Sequence, residues 1–244
     1  MIDSDYTFEP AGPLHLTVVA ASILLPIALA RITRQSERAA TRIRYAHGVL
    51  LVAVATAHYG FQAHAWFSGH PMRLATLLPM HLCDWSLIAC VLSCFRRIAE
   101  QPPRSLAFDM AYYLVFAGSI HGLLTPDIDQ NTPMHWVILF FIFHGGLISC
   151  VLYLLFGTGY RPSEGSVRKV FGVLQLYLLA ALAVNALFNT NFGYLAEKPE
   201  HYSVMQHLFP WPWYIVQLEG LALITLSLAY APFWFLKHRS RKDF

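Results

Sequence analysis

The sequence predicts an all-α protein, a polytopic membrane bundle of seven transmembrane helices. Hydrophobic residues make up 56% of its 244 residues and charged residues only 13%, about half the charged share of a soluble domain. The mean hydropathy is positive, at +0.46. If the hydrophobic residues are concentrated in spans of about 20 residues, they suffice for roughly seven spans. The remaining residues cover short loops and two tails, so a sizeable soluble domain is excluded.

Seven apolar segments carry this prediction, and each is long enough to cross about 30 Å of hydrocarbon as a helix. Pro13 favours a helix start at the head of the first and shortest segment. Pro26 and Pro79 lie inside segments, where neighbouring helices can cover the backbone groups that a proline leaves unpaired. The segments are residues 14–30, 46–67, 74–95, 106–124, 134–157, 170–190 and 211–236.

Basic residues alternate between the loops that these segments define. The loops after the first, third and fifth segments and the C-terminal tail hold 15 of the 17 basic residues, leaving only Arg73 and Lys198 elsewhere. The positive-inside rule therefore places the N-terminus outside and the C-terminus in the cytoplasm, as an odd number of spans requires. We expect an external tail over residues 1–13, a seven-helix domain over 14–236 and a basic cytoplasmic tail over 237–244, in the bacterial cytoplasmic membrane.

Ionisable side chains inside a span are costly and are therefore candidates for function. Most of them fall in the outer half of the predicted bundle when depth is counted along each helix. Counted from Leu74 and Met134, Cys83 and His144 reach nearly the same depth, about 14–15 Å below the outer end. The other polar candidates within spans are His58, His64, His81, Asp84, Asp109, His121, Asn185 and Glu219.

Cys83 and His144 form the pair with the clearest chemistry. A thiol is a nucleophile as its thiolate, and burial in apolar surroundings opposes that ionisation. A neighbouring imidazole favours it by taking the proton, and equal depth permits contact between the two. A buried free cysteine and a hydrogen-bonded core histidine are the alternative interpretation. We expect Cys90, Cys94 and Cys150 to be packing residues.

Five short motifs are more specific together than any of them is alone. They are Leu78–Asp84 (Leu-Pro-Met-His-Leu-Cys-Asp), Leu123–Asp127, Phe140–His144, Asn189–Leu195 with Lys198-Pro199, and Pro210–Tyr214. In this order, over about residues 46–236, they resemble the YwaF-type, or transmembrane protein 164, family of multi-pass integral membrane acyltransferases. The resemblance implies a seven-helix bundle in which Cys83 accepts the acyl group and His144 is its partner.

The implied function is transfer of a fatty acyl chain from a phospholipid to a lysophospholipid through a cysteine thioester. Its partners are then membrane lipids and not nucleic acid, and it needs no metal and no cofactor. Such a site also requires hydrogen-bond donors for the oxyanion and a carboxylate that orients a histidine. The expected supporting residues are His81, Asp84, His121, Asn185, Asn189, Asn191 and Glu219.

Other functions stay open at this point. A lipid or ester hydrolase could use the same cysteine and histidine with water as the acceptor. A transporter or channel could use Asp84 and Glu219 as relay groups, although the sequence has no inverted repeat of the kind that many transporters carry. A metal or haem site is disfavoured, because the four cysteines form no Cys-x-x-Cys pair and no metal-binding histidine spacing is matched by a carboxylate.

Overall fold

The computed structural model describes residues 8–240 except for residues 10, 70–73, 99–101, 127, 129–131 and 200–203. The described residues form helices and loops and no β-strand, which confirms the all-α prediction. The α-helices are α1 (Pro13–Thr33), α2 (Glu37–Phe67), α3 (Leu82–Phe95), α4 (Leu106–Leu114), α5 (Ile120–Leu124), α6 (Met134–Gly157), α7 (Ser166–Phe188) and α8 (Trp213–Ser240). A π-helical turn, Val115–Ser119, makes α4 and α5 one continuous segment.

Five helical segments are long and apolar enough to cross a membrane, and they mark an integral membrane protein. They match five of the seven predicted apolar segments, namely the first and the fourth to the seventh. The five are Pro13–Thr33, Leu106–Leu124, Met134–Gly157, Ser166–Phe188 and Trp213–His238.

The second predicted segment lies in α2, which is 31 residues long but is not among the five. Its apolar residues are diluted by Glu37 and arginines near its start and by histidines near its end. The residues before it were predicted to be a basic loop, but Arg38, Arg42 and Arg44 lie within the first turns of α2. The loop between α1 and α2 is therefore much shorter than the charge pattern indicated.

The third predicted segment is not one continuous helix. A 3-10 turn over Leu74–Leu77 is followed by non-helical residues, and α3 begins only at Leu82 and has 14 residues. Pro79 explains the break, because proline cannot donate a backbone hydrogen bond and disfavours helical geometry at the residue before it. The depth of Cys83 was counted along one continuous helix from Leu74, and that premise was wrong, because Cys83 lies in the first turn of α3.

Helix α6 is the centre of the bundle, and α1, α2, α3 and the α4–α5 segment pack against it. Glycines allow two of the closest approaches. A Cβ atom on Gly145 of α6 would collide with the side chain of Ser22 on α1. A Cβ atom on Gly48 of α2 would lie 2.9 Å from the Cβ atom of Cys94 on α3. Small residues at helix crossings are typical of membrane bundles, where van der Waals packing drives association.

The end of α3 away from Cys83 is fixed by buried contacts. The guanidinium of Arg44, only 3% exposed, donates to the carbonyl of Arg96 at 2.7 Å and to that of Ser93 at 3.3 Å. These carbonyls lie at the helix C-terminus, where they have no partner within the helix and where positive charge is favourable. The Cys94 and Cys150 sulfurs, 3.4 Å apart, join α3 to α6 as buried thiols, as expected for packing residues.

Candidate functional site

The sequence around Cys83 places it at the start of a helix. Pro79 prevents an earlier start, and His81 occupies the N-cap position of α3. Asp84, the third residue of the helix, accepts a hydrogen bond from the His81 backbone N–H at 2.9 Å. This is half of a capping box, which fixes where a helix begins. Cys83 therefore lies in the first helical turn, where the helix dipole favours negative charge, while the carboxylate of the adjacent Asp84 opposes it.

Asp84 is the buried carboxylate of the site, with 5% of its surface exposed. Tyr59 on α2 interacts electrostatically with this carboxylate. His58 and His81 both interact electrostatically with the same carboxylate. Because α2 and α3 run in opposite directions through the bundle, the end of α2 and the start of α3 lie together and bring these groups to one place.

Tyr177 of α7 borders the groups around Asp84 on another side. Its hydroxyl donates to the backbone carbonyl of Met80 at 2.9 Å, and its ring meets the edge of Trp85 with 5.3 Å between centroids. It also interacts electrostatically with Cys83 and Asp84. Tyr177 thus holds the chain that precedes α3 against α7 and positions the turn that carries Cys83.

His144 presents one ring nitrogen as a free base. Its Nδ1 lies 3.0 Å from the carbonyl oxygen of Phe140, one turn earlier on α6. Because a carbonyl only accepts hydrogen bonds, Nδ1 carries the proton and neutral His144 has its lone pair on Nε2. The ring lies against Gly122 of α5, where a Cβ atom would come within 2.9 Å of Cδ2 and 3.1 Å of Nε2. Glycine at position 122 therefore leaves the space that this ring occupies.

His144 and Cys83 border the same group of polar side chains. His144 interacts electrostatically with His58 and His81, which in turn face Asp84. Among the described residues, no hydrogen bond joins Cys83 to His144, so their action as a dyad stays a prediction. We call this group the Asp84 cluster and define it as His58, Tyr59, His81, Cys83, Asp84 and His144.

The Asp84 cluster lies within a stretch that matches a known family. The family model for the TMEM164 family matches residues 10–230 of the chain. This chain belongs to the TMEM164 family. The match confirms the predicted resemblance at the level of the transmembrane protein 164 family, whereas the YwaF-type grouping and the acyltransferase activity stay predictions. No curated protein and no solved structure matches the chain.

In this TMEM164 family member, the side chain of Asn185 forms hydrogen bonds to the loop that follows α7. Its Nδ2 donates to the Phe192 carbonyl at 3.0 Å, and its Oδ1 accepts from the Phe192 N–H at 2.8 Å and from the Thr190 hydroxyl at 2.9 Å. These bonds fix the turn that follows α7. The amide of Asn185 is therefore engaged in this turn, next to the Asp84 cluster through the contact of Phe192 with His81, and is not free to bind an oxyanion.

The two other predicted asparagines also lie in this turn. Asn189 ends α7 in the left-handed conformation, with φ at 51°, which asparagine tolerates better than most residues. Asn191 accepts from the N–H groups of Ala196 and Glu197 at 3.0 and 3.2 Å and donates to the Glu197 carbonyl at 2.9 Å. Both asparagines shape the loop that covers this end of the TMEM164 family bundle.

His121 and Glu219 are not part of the Asp84 cluster. His121 is exposed on α5, and its backbone carbonyl accepts from the hydroxyl and the N–H of Thr125. Glu219 of α8 accepts a hydrogen bond from Gln175 of α7, so it joins two peripheral helices. Within the described part of the chain, no hydrogen bond joins either side chain to the Asp84 cluster. No group of three or more His, Cys, Asp or Glu among the described residues could hold a metal ion.

Tyr59, Tyr177 and Gly122 were absent from the sequence-based prediction. A search for ionisable side chains in apolar segments passes over tyrosine, although a buried hydroxyl almost always has a partner. Tyr59 directly follows His58, and this adjacency was the available signal. Gly122 and Tyr177 carry no such signal, because their roles depend on which helices pack together.

Proposed function

We propose that this membrane protein transfers a fatty acyl chain from a phospholipid to a lysophospholipid through a thioester on Cys83. One observation carries the proposal: a thiol in the first turn of a helix, a buried carboxylate and an imidazole with a free Nε2 lie around one polar cluster. Membership of the TMEM164 family and the apolar helices around the site fit a substrate that is itself a membrane lipid.

In the first step, Nε2 of His144 takes the thiol proton and the Cys83 sulfur attacks the ester carbonyl carbon. The resulting oxyanion is stabilised by free backbone N–H groups at the start of α3. The carbon–oxygen bond then breaks, and the leaving lysophospholipid oxygen takes the proton from His144. The products are a Cys83 thioester and a lysophospholipid.

In the second step, a lysophospholipid hydroxyl attacks the thioester carbonyl carbon. His144 takes the hydroxyl proton, the carbon–sulfur bond breaks, and the proton passes to the leaving sulfur. Water in place of the hydroxyl yields a free fatty acid, so the hydrolase alternative differs only in this step.

Purified protein in vesicles tests this function directly. We expect a labelled acyl chain, supplied on a phospholipid, to appear on an added lysophospholipid. The labelled product is separated from its precursor by mass spectrometry. A labelled free fatty acid as the main product would instead assign the hydrolase reaction, and no turnover of any phospholipid would contradict both.

We further propose the full topology, with α2 and α3 completing seven spans, the N-terminus outside and the C-terminus in the cytoplasm of a bacterial cytoplasmic membrane. Arg161 in the loop before α7 and Arg168 and Lys169 in its first turn make this end basic, whereas the loop after α7 carries only Lys198. The helix is long enough to separate the two ends across a membrane. Reporter fusions near Pro162 and after Lys237 are expected to be cytoplasmic, and a fusion after Pro199 external. A cytoplasmic signal after Pro199 would overturn this orientation.

A further inference from the structure

Gln62 carries a buried amide oxygen without a hydrogen-bond partner among the described residues. It lies on α2, one helical turn beyond His58, and its Nε2 is 2.7 Å from the Nε2 of His58. One end of the amide is therefore bonded to the Asp84 cluster while Oε1 is left unpaired. Buried polar groups in proteins almost always have partners, and an unpaired acceptor is costly. A bound ligand with a donor group would remove this cost.

The His58 ring is held in place beside this amide. The edge of Trp136 on α6 meets it with 5.6 Å between ring centroids, and the ring of Phe143 lies 6.0 Å away. Because His58 is packed on these sides, its Nε2 stays directed towards Gln62. The unpaired oxygen therefore has a defined position relative to the Asp84 cluster.

Gln62 lies on the side of the cluster that faces the nearest end of the bundle. Tyr59 contacts Asp84, and Gln62 follows Tyr59 by three residues, about 4.5 Å along the helix, towards the end of α2 at Phe67. The start of α3 lies at the same end. A phospholipid with its ester carbonyl at Cys83 directs its headgroup towards this end, because ester groups lie below the headgroups in a bilayer. The Gln62 amide is then at the level of the headgroup.

We propose that Gln62 Oε1 accepts a hydrogen bond from the headgroup of the bound phospholipid and so selects headgroups with an N–H or O–H donor. This inference rests on the proposed function, because the headgroup is placed by an ester bound at Cys83. A primary ammonium or a hydroxyl supplies such a donor, whereas the trimethylammonium group of choline has none. Gln62 is only half-buried, so part of its side chain is open to an approaching headgroup.

The test compares phosphatidylethanolamine, phosphatidylglycerol and phosphatidylcholine with identical acyl chains as acyl donors. For the unaltered protein, we expect kcat/KM to exceed the choline value by roughly 2- to 10-fold with the glycerol headgroup and about 10- to 100-fold with ethanolamine, since charged donors form stronger hydrogen bonds. The methionine side chain in Gln62→Met has a similar length and no acceptor oxygen. The kcat/KM values for the ethanolamine and glycerol headgroups should therefore fall to the value for choline. Gln62→Glu keeps an acceptor oxygen and should retain the preference for ethanolamine.

Thr56→Val is the matched control on the same helix. Thr56 is exposed, and its hydroxyl donates to the Val52 carbonyl of its own helix, so this change should leave the headgroup preference intact. An equal reduction for all three lipids in Gln62→Met would mean that the amide contacts the phosphate they share, and it would overturn the inference. Unchanged preferences would overturn it as well.

Binding of the same three lipids, followed by native mass spectrometry, gives the comparison without turnover. A protein that transfers no acyl chain would contradict the proposed function, yet its binding preferences would still test Gln62. The same loss of preference in Gln62→Met is expected in this measurement. No difference between the headgroups in either measurement would end the assignment of Gln62 as a specificity residue.

Discussion

Replacing Cys83 by alanine is expected to abolish the acyl-protein adduct that forms when a labelled phospholipid is supplied without an acceptor. In the unaltered protein the thioester accumulates because no hydroxyl arrives to release it, and neutral hydroxylamine should remove the label. Cys83 is the one half-buried thiol of the four, whereas Cys90, Cys94 and Cys150 are fully buried. The adduct is measured by gel fluorescence and by the mass of the intact protein.

Two further variants separate chemistry from packing. Cys90→Ala should label almost normally, because this thiol lies in the core and away from the Asp84 cluster. Cys83→Ser should label much more slowly, because a hydroxyl ionises less readily than a thiol. Full labelling of Cys83→Ala would rule out the covalent reaction at this residue. Resistance of the label to hydroxylamine in the unaltered protein would also contradict a thioester.

Long apolar helices were predictable because hydropathy averages over many residues. The segments around α1 and α6 to α8 were found in this way, within a few residues of their observed ends. The start of α3 was not, because it depends on single residues: Pro79 interrupts the apolar run and Asp84 caps the new helix. Averaging over a window hides such local determinants even though the residues themselves are visible in the sequence.

Part of the candidate site was predictable for a similar reason. His81, Cys83 and Asp84 are neighbours in one motif, and their proximity follows from the chain itself. Asn185 was assigned to the site because a polar amide in an apolar segment indicates function, but the same pattern arises when an amide fixes a turn. The contacts of Tyr177 depend on tertiary packing, and no local pattern specifies them.

The sequence and the structure assign different roles to the charge of Arg44. In the sequence it counted as one of the basic residues that orient the chain, and its position near the start of α2 is compatible with that role. In the structure it is buried and caps the end of α3. Together with the contact of Cys94 with Cys150, it fixes α3 against α2 and α6. The position of Cys83 at the other end of this short helix depends on that support.

Replacing His144 by alanine should slow formation of the Cys83 adduct by roughly 100- to 10,000-fold, the usual contribution of a positioned general base. The loss is expected in single-turnover labelling, because the step that forms the thioester requires removal of the thiol proton. The adduct should still form slowly, since Cys83 itself is unchanged. An unaltered rate in His144→Ala would mean that another group takes the proton, and it would contradict the proposed dyad.

Gly122→Ala tests the position of the imidazole without removing it. The added methyl group would lie 2.9 Å from Cδ2 and 3.1 Å from Nε2 of His144, closer than normal contact, so the ring must shift. We expect a loss of rate between those of the unaltered protein and His144→Ala. Gly118→Ala is the matched control, because nothing lies within 4 Å of a Cβ atom there, and it should label normally. Equal rates for the two glycine variants would show that the reaction does not depend on where the His144 ring lies.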